Sequence, residues 1–362
     1  MTTEIIWVRG SERIPYTHPS TYFCLGVRGS GKSSFLESIG ERYLAHGSAI
    51  LDLFGSRDGE NLAWLRSDHA KDKKILLLRG SQVDVQAPCD TKEASKLELE
   101  DFNRYDILIS SAPLYTGPDD EFDNASKITQ LLYQRRHWDR LIYLAVREAS
   151  NLYFSRLKIV ANQTIAKAEM VYLCREMRHS GIALGLDTLR FTAIDIDIRS
   201  ISDYLILKAQ GLQGLSRDLY WLYSLFRPPM VQNLPKDKFI IVTKQGSIGI
   251  GRFDPVVWHK QEREDIVNRL GLKIEYGEIV EMGKNMGTFR TMSDEEHSQM
   301  IRLYIEEGMG MSKISKEMER SSATVKSHLD AHNAAVVRSG FCPSCKRVKS
   351  PFETKAAART PA

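Results

Sequence analysis

Seven short apolar runs recur along the first two-thirds of the chain, and they constrain its fold more than any other feature. They are TYFCLGV (21–27), SAILDLF (48–54), KILLLRG (74–80), YDILISS (105–111), LIYLAV (141–146), IALGLDT (182–188) and DYLILKA (203–209). Most are nearly continuous in apolar residues rather than alternating, as strands covered on both faces are. Helical patterns at 33–46, 121–138 and 151–179 lie between several of them. Alternation of this kind predicts a mainly parallel α/β sheet flanked by helices. FRPPM (226–230) breaks the pattern. Residues 237–253 then read as a hairpin around Gly246, followed by a charged helix over 258–270 and the short segment LKIEYGEIVEM. From Ser293 the pattern is helical only.

GVRGSGKSS (26–34) sits between the first of these runs and a helical pattern. It fits G-x-x-x-x-G-K-[ST] through Gly26, Gly31, Lys32 and Ser33, in the strand-to-helix setting that a phosphate-binding loop needs. Gly29 and Gly31 let the backbone take positive φ and approach an anion closely. The amides around Ser30 and Ser34 and the N-terminus of the following helix then face phosphate oxygens. Lys32 reaches the β and γ phosphates, and the Ser33 hydroxyl is the expected magnesium ligand. The chain has no N-K-x-D or T-K-x-D stretch to read guanine, so ATP is the expected nucleotide.

LIYLAVREASNL (141–152) runs an apolar strand into a carboxylate, Glu148. Its A-S-N-L continuation, the MRHSG turn, the strand ending at Thr188, and Arg199 ahead of the strand 203–209 follow in the order found in HerA/FtsK-type DNA motors. The chain therefore resembles that P-loop ATPase family over roughly residues 20–210. Large terminase ATPases and archaeal viral packaging ATPases share the layout. The resemblance implies a RecA-like sheet, Glu148 as the catalytic carboxylate and Thr188 as a γ-phosphate sensor. It also implies an arginine finger supplied across a ring interface, with Arg178, Arg190 and Arg199 as candidates.

Two residues depart from that pattern: Arg147 holds the place of the Walker B aspartate, and Leu189 that of a sensor glutamine. Three accounts of Arg147 stand open. Ser33 and phosphate hold magnesium, helped through water by Glu148 or by another strand-end acid, Asp52 or Asp187. Alternatively, Arg147 neutralises phosphate charge itself. In the third account the site binds ATP and hydrolyses it poorly. A cap on a helix beginning at NLYFSRL is a further role open to Glu148.

Residues 291–333 divide into three helical stretches. Ser293 with Glu296 matches a capping box, and Gly308 and Gly310 break the chain. The segment resembles a helix-turn-helix of the resolvase or sigma-factor type, with Ser322, Thr324, Lys326 and Ser327 presented to DNA. A three-helix bundle for protein contacts fits the same pattern. In GFCPSCKRVKS the C-x-x-C pair supplies half a zinc site. His328 and His332, one helical turn apart, would complete a tetrahedral set with Cys342 and Cys345, and a knuckle turn with free thiols fits the same residues.

Composition agrees with these readings. The chain has 362 residues, 42% of them hydrophobic, enough for a large core. Its net charge of +4 is carried by the end of the chain, where ten Lys and Arg face four Asp and Glu from Lys313 onward. A basic tail of this kind suits nucleic acid or solvent. Five cysteines, an odd number, suit buried thiols in a reducing compartment. The sequence shows neither a signal-peptide pattern nor a membrane-spanning run, so a cytoplasmic protein, or a virus-encoded one made in host cytoplasm, is expected.

The expected organisation is a P-loop ATPase core over 1–255, a charged helical connector over 256–290, a helix-turn-helix over 291–340, and a C-x-x-C segment with a flexible basic tail over 341–362. The expected function is an ATP-hydrolysing, DNA-translocating motor acting as a homo-oligomeric ring, with viral genome packaging its sharpest form. An ATP-dependent DNA-binding switch with weak hydrolysis is the alternative. Asp254, Glu262, Glu264 and Asp265 lie in a charged helical stretch, so no nuclease activity is expected.

Overall fold

All seven apolar runs fold as strands. The computed structural model describes residues 4–53, 59–135, 139–153, 163–256, 266–277, 293–318, 320, 322–339, 342 and 345. It divides into two units, Met1–Ile279 and Val280–Ala362.

The first unit runs β1 (Glu4–Arg9), β2 (Thr21–Leu25), α1 (Lys32–Ala45), β3 (Ala49–Leu53), β4 (Ile75–Arg79), β5 (Val83–Gln86), β6 (Asp90–Glu93), α2 (Asp101–Arg104) and β7 (Ile107–Ser110). It continues with α3 (Pro118–Tyr133), β8 (Ile142–Val146), α4 (Gln163–Ser180), β9 (Ile182–Thr188), α5 (Ile196–Ser200), β10 (Tyr204–Leu207), α6 (Pro228–Gln232), β11 (Lys238–Thr243), β12 (Ile248–Arg252), α7 (Ile266–Arg269) and β13 (Lys273–Tyr276).

Eleven strands form one sheet in the order β1-β12-β11-β10-β2-β9-β8-β3-β7-β4-β6. Pairing is parallel from β10 to β6, while β10, β11, β12 and β1 pair antiparallel. The four central strands β2, β9, β8 and β3 are buried at every residue, which is why their sequences are apolar on both faces. Helix α1 packs across β2, β3, β8 and β9, and α3 packs on α4. This is a mainly parallel α/β sheet flanked by helices.

The additional strands have weak sequence signals. β1 is an edge strand whose residues are exposed or half-buried, and β6, DTKE, closes the other edge with polar side chains that blunt it against further pairing. β13 falls inside LKIEYGEIVEM and pairs with β5 in a separate two-stranded sheet. The hairpin turns at Gly246, as expected.

The expected helix over 151–179 begins later: residues 147–152 form turns, and α4 starts at Gln163. Glu148 therefore caps no helix among the described residues. Of the expected helix 258–270, α7 lies within the described residues and 257–265 lie outside them, as does the basic tail. All five cysteines are free. Burial pushes the Cys24 and Cys174 thiols up to about 12 and Cys89 up to about 11, so these three are packing residues rather than nucleophiles. No helix among the described residues is long and apolar enough to cross a membrane.

In the second unit α8 (Asp294–Ile305), α9 (Met311–Glu317) and α10 (Ser322–Ser339) close on a core of Met300, Ile301, Leu303, Tyr304, Ile314, Val325 and Leu329. The capping box forms: Ser293 Oγ accepts from the Glu296 amide at 3.2 Å, and Glu296 Oε2 accepts from the Ser293 amide at 3.1 Å.

Candidate functional site

The ends of β2, β9, β8 and β3 lie side by side, and the loops leaving them carry the chemistry. In an open parallel sheet this carboxyl edge is where ligands bind. β2 turns directly into the loop 26–31, whose Gly29 and Gly31 sit at φ +75° and +89°. A Cβ on Gly31 would stand 2.9 Å from the Lys236 carbonyl oxygen, so this glycine is needed for both conformation and space. Helix α1 begins at Lys32 with no side-chain cap and no acidic residue in its first turn. Its N-terminal amides and dipole are left uncompensated, as an anion site requires. The buried hydroxyls of Ser30 and Ser34 have no hydrogen-bond partner among the described residues. Lys32 Nζ donates to the Val27 carbonyl at 3.2 Å.

Strand pairing fixes the loop in place. The Gly26 amide donates to the Thr188 carbonyl at 3.3 Å and the Val27 amide to the Ala209 carbonyl at 2.9 Å. Behind the loop is Lys208, fully buried, donating to the carbonyls of Lys236 and Lys238 at 2.6 Å each. Its Nζ lies 4.4 Å from the Phe253 ring centroid, and burial lowers its pKa to about 8. No motif flagged this lysine, because its signal in sequence is one cation at the end of an apolar run.

Asp187, on β9, reaches the residue that follows the loop lysine. It is 1% exposed, accepts from Ser33 Oγ at 3.2 Å through Oδ2, and accepts from the Glu148 amide at 2.6 Å through Oδ1. Burial pushes its carboxyl up, opposed by Lys32. Glu148 follows β8 at φ +47°, the one non-glycine residue with positive φ among those described. Such strain in a residue with a side chain collects at functional sites. Burial and then the charge of Asp187 push the Glu148 carboxyl up, opposed by Lys32 and, more weakly, by Arg28. Two acids that repel each other beside a serine hydroxyl and a helix N-terminus suit a divalent cation bound with phosphate. Ser33 would ligate magnesium, Asp187 would hold a metal-bound water, and the ion would offset phosphate charge.

Arg147 makes its hydrogen bonds and ion pairs elsewhere, although its charge, like that of Lys32, opposes the rise at Asp187. It is 3% exposed, and its Nε and Nη2 donate to Asp52 Oδ1 and Oδ2 at 2.9 and 2.6 Å. Nη1 pairs with Glu37 Oε1 of α1 at 2.5 Å. Burial opposes its charge, but Asp52 and then Glu37 outweigh burial and hold its pKa well above the ordinary value. Trp64 Nε1 also donates to Asp52, at 2.8 Å. Two of the sequence expectations are thereby corrected. Arg147 is committed to two carboxylates rather than aimed at phosphate, and Asp52 is committed to Arg147 and Trp64 rather than to a cation. Of the acids named from sequence, Asp187 and Glu148 meet the phosphate loop.

The remaining residues are placed as follows. Thr188 is fully buried, and its hydroxyl donates to the Arg190 carbonyl at 3.3 Å and accepts from the Arg190 amide at 3.4 Å. Alternation along β9 sends it and Asp187 to opposite faces. Arg199 stacks 4.7 Å over Phe191 and pairs with Asp218 at 3.5 Å. Arg178 lies on α4 with its side chain outside the described set, and Arg190 is exposed. On α10, Lys326 is exposed and Thr324 half-buried, while the side chains of Ser322 and Ser327 lie outside the described set.

Four ligand-type atoms meet in the second unit, from His297, His332, Cys342 and Cys345. The expected set contained His328 in place of His297. His328 instead lies beside His297, ring centroids 5.7 Å apart, and is no member of the quartet. Helical spacing pointed to His328 because it is one turn from His332, whereas His297 comes from a different helix.

The fold is similar to those of several solved structures. One is the genome packaging NTPase B204 from Sulfolobus turreted icosahedral virus 2 in complex with ATP-gammaS, at a TM-score of 0.40 and 16% identity, covering 66% of this chain and 98% of that one. Another is the pCW3 conjugation coupling protein TcpA with ATPgS, at 0.41 and 14%, covering 74% and 69%. A third is EssC (ATPases 2 and 3) from Geobacillus thermodenitrificans, at 0.40 and 11%, covering 69% and 43%. No protein-family model matches the sequence, and no curated protein matches it.

Proposed function

We propose that the first unit binds ATP with magnesium at the loop 26–34 and hydrolyses it, and that hydrolysis drives movement along DNA. The observation that carries this reading is the junction of Ser33, Asp187 and Glu148 beside an uncapped helix N-terminus. The loop amides and Lys32 would hold and neutralise the phosphates. Ser33 and Asp187 would place magnesium. Glu148, whose carboxyl is pushed up by burial and by Asp187, is suited to accept a proton from the attacking water.

DNA is the proposed partner, with Lys326 and Thr324 on α10 as contact residues in a helix-turn-helix, together with Ser322 and Ser327. Ring assembly belongs to the same reading, with Arg178 or Arg199 of one subunit completing the neighbour's site. Packaging of a viral genome is its most specific form.

ATP turnover measured with and without double-stranded DNA tests the proposal. Wild type should be stimulated by DNA, and Lys32→Ala and Glu148→Gln should lose about a hundredfold or more of that turnover. Bound ATP with turnover at background in the presence of DNA would sink the motor and favour an ATP-dependent DNA-binding switch. Sizing in ATP against nucleotide-free protein tests the ring: an unchanged monomer counts against it.

A further inference from the structure

Nε2 of His297 lies 3.5 Å from Sγ of Cys342, and Nδ1 of His332 lies 3.3 Å from Sγ of Cys345. All four ligand atoms fall within 4.8 Å of one another. Zinc binds sulfur at about 2.3 Å and imidazole nitrogen at about 2.0 Å, so ligand atoms at tetrahedral corners stand roughly 3.3–3.8 Å apart. The quartet has nearly that spacing. It is also enclosed: His297, His332 and Cys342 are 5%, 1% and 3% exposed, and Cys345 is half-buried.

We propose that His297, His332, Cys342 and Cys345 bind one zinc ion as a closed structural site. Four protein ligands leave no open position, so the site is structural rather than catalytic. The ligands come from α8, from α10 and from the C-x-x-C pair that follows it, so one ion ties His297 on α8 to a residue 45 positions further along the chain. The core of this unit holds seven buried apolar side chains among the described residues, and small folds commonly add such a staple. Val325, Leu329 and His332 are buried on one side of α10, while Lys326 and Asp330 are exposed on the other. The ion would therefore fix the helix from behind and leave the Lys326 face available.

Metal content of the reduced full-length protein, purified with zinc supplied, tests the assignment without reference to nucleotide. Wild type and His328→Ala should each carry one zinc per chain; His297→Ala and Cys342→Ser should carry well under half. Zinc retained in His297→Ala but lost in His328→Ala would overturn the ligand set, and wild type without stoichiometric zinc would overturn the site. A folding defect in His297→Ala is separated from ligand loss by cobalt titration of His297→Cys. Thiolate-to-cobalt charge-transfer absorption should rise roughly one and a half times as three thiolates replace two. Unchanged absorption in a tetrahedral cobalt spectrum would exclude residue 297 as a ligand.

Discussion

The hydroxyl of Ser33 stands 3.2 Å from Oδ2 of Asp187, joining the phosphate loop to the strand beside it. The resemblance places an aspartate for this task one strand further on, where Arg147 stands. In this chain the carboxylate that reaches the serine stands at the end of β9 instead. If Asp187 places magnesium through water, Asp187→Asn should weaken magnesium activation or turnover by about 10–100-fold, the usual cost of losing an outer partner of a metal. Magnesium titration of ATP turnover checks this. A variant with wild-type turnover and magnesium dependence would remove Asp187 from the site.

Glu148 gives a pH dependence whose sign follows from its surroundings. Its carboxyl is pushed above the ordinary 4.5 by burial and by Asp187. A general base acts when ionised, so turnover should fall as pH drops through that raised value, and the acid limb should lie above 4.5. Stability has the opposite sign. A carboxyl with a raised folded-state pKa binds its proton more readily when folded, so its favourable contribution lies at low pH and is lost as pH rises through the folded value. Above its raised pKa the ionised group is therefore a cost. Glu148→Gln should lower turnover about 10²–10⁴-fold while raising the melting temperature. A fall in both would mean that Glu148 is held for structure.

The sheet was legible because strands covered on both faces need continuous apolar runs, and β2, β3, β8 and β9 have them. The phosphate loop was legible because its glycines and lysine occupy fixed places in one short segment. Contacts between distant segments were not. Asp187 and Asp52 look alike in sequence, each the acid of a buried strand, yet one faces Ser33 and the other an arginine. Strand order decides between them, and no local pattern encodes strand order. His297 was missed for the same reason: its partners are on another helix and beyond it. β1 and β6 were missed because edge strands need no apolar run.

Arg147 is the place to test stability rather than chemistry. A buried cation with two buried carboxylate partners is costly to dismantle one member at a time, because the others stay in the interior without the opposite charge that offsets their burial. Arg147→Met should destabilise the first unit by about 3–5 kcal/mol. Denaturant unfolding checks the figure. Adding Asp52→Asn and Glu37→Gln to Arg147→Met should recover part of the loss, since the stranded charges are then gone. A single Arg147→Met variant of wild-type stability but altered ATP turnover would return this arginine to the catalytic site.

Gly29 and Gly31 separate two requirements that the phosphate loop places on glycine. Both have positive φ, so an alanine at either costs roughly 1–2 kcal/mol for the left-handed backbone. The space around them differs. A Cβ at Gly29 meets nothing within 4 Å, whereas one at Gly31 stands 2.9 Å from the Lys236 carbonyl oxygen. That carbonyl is not free to retreat, because it accepts the hydrogen bond of buried Lys208. Gly31→Ala should therefore destabilise the fold by more than Gly29→Ala and also displace the start of α1. Melting temperature should fall further for Gly31→Ala, and ATP affinity should weaken in both because phosphate lies against this backbone. Equal melting temperatures for the two variants would mean that the Lys236 segment yields, and that conformation alone requires glycine at both positions.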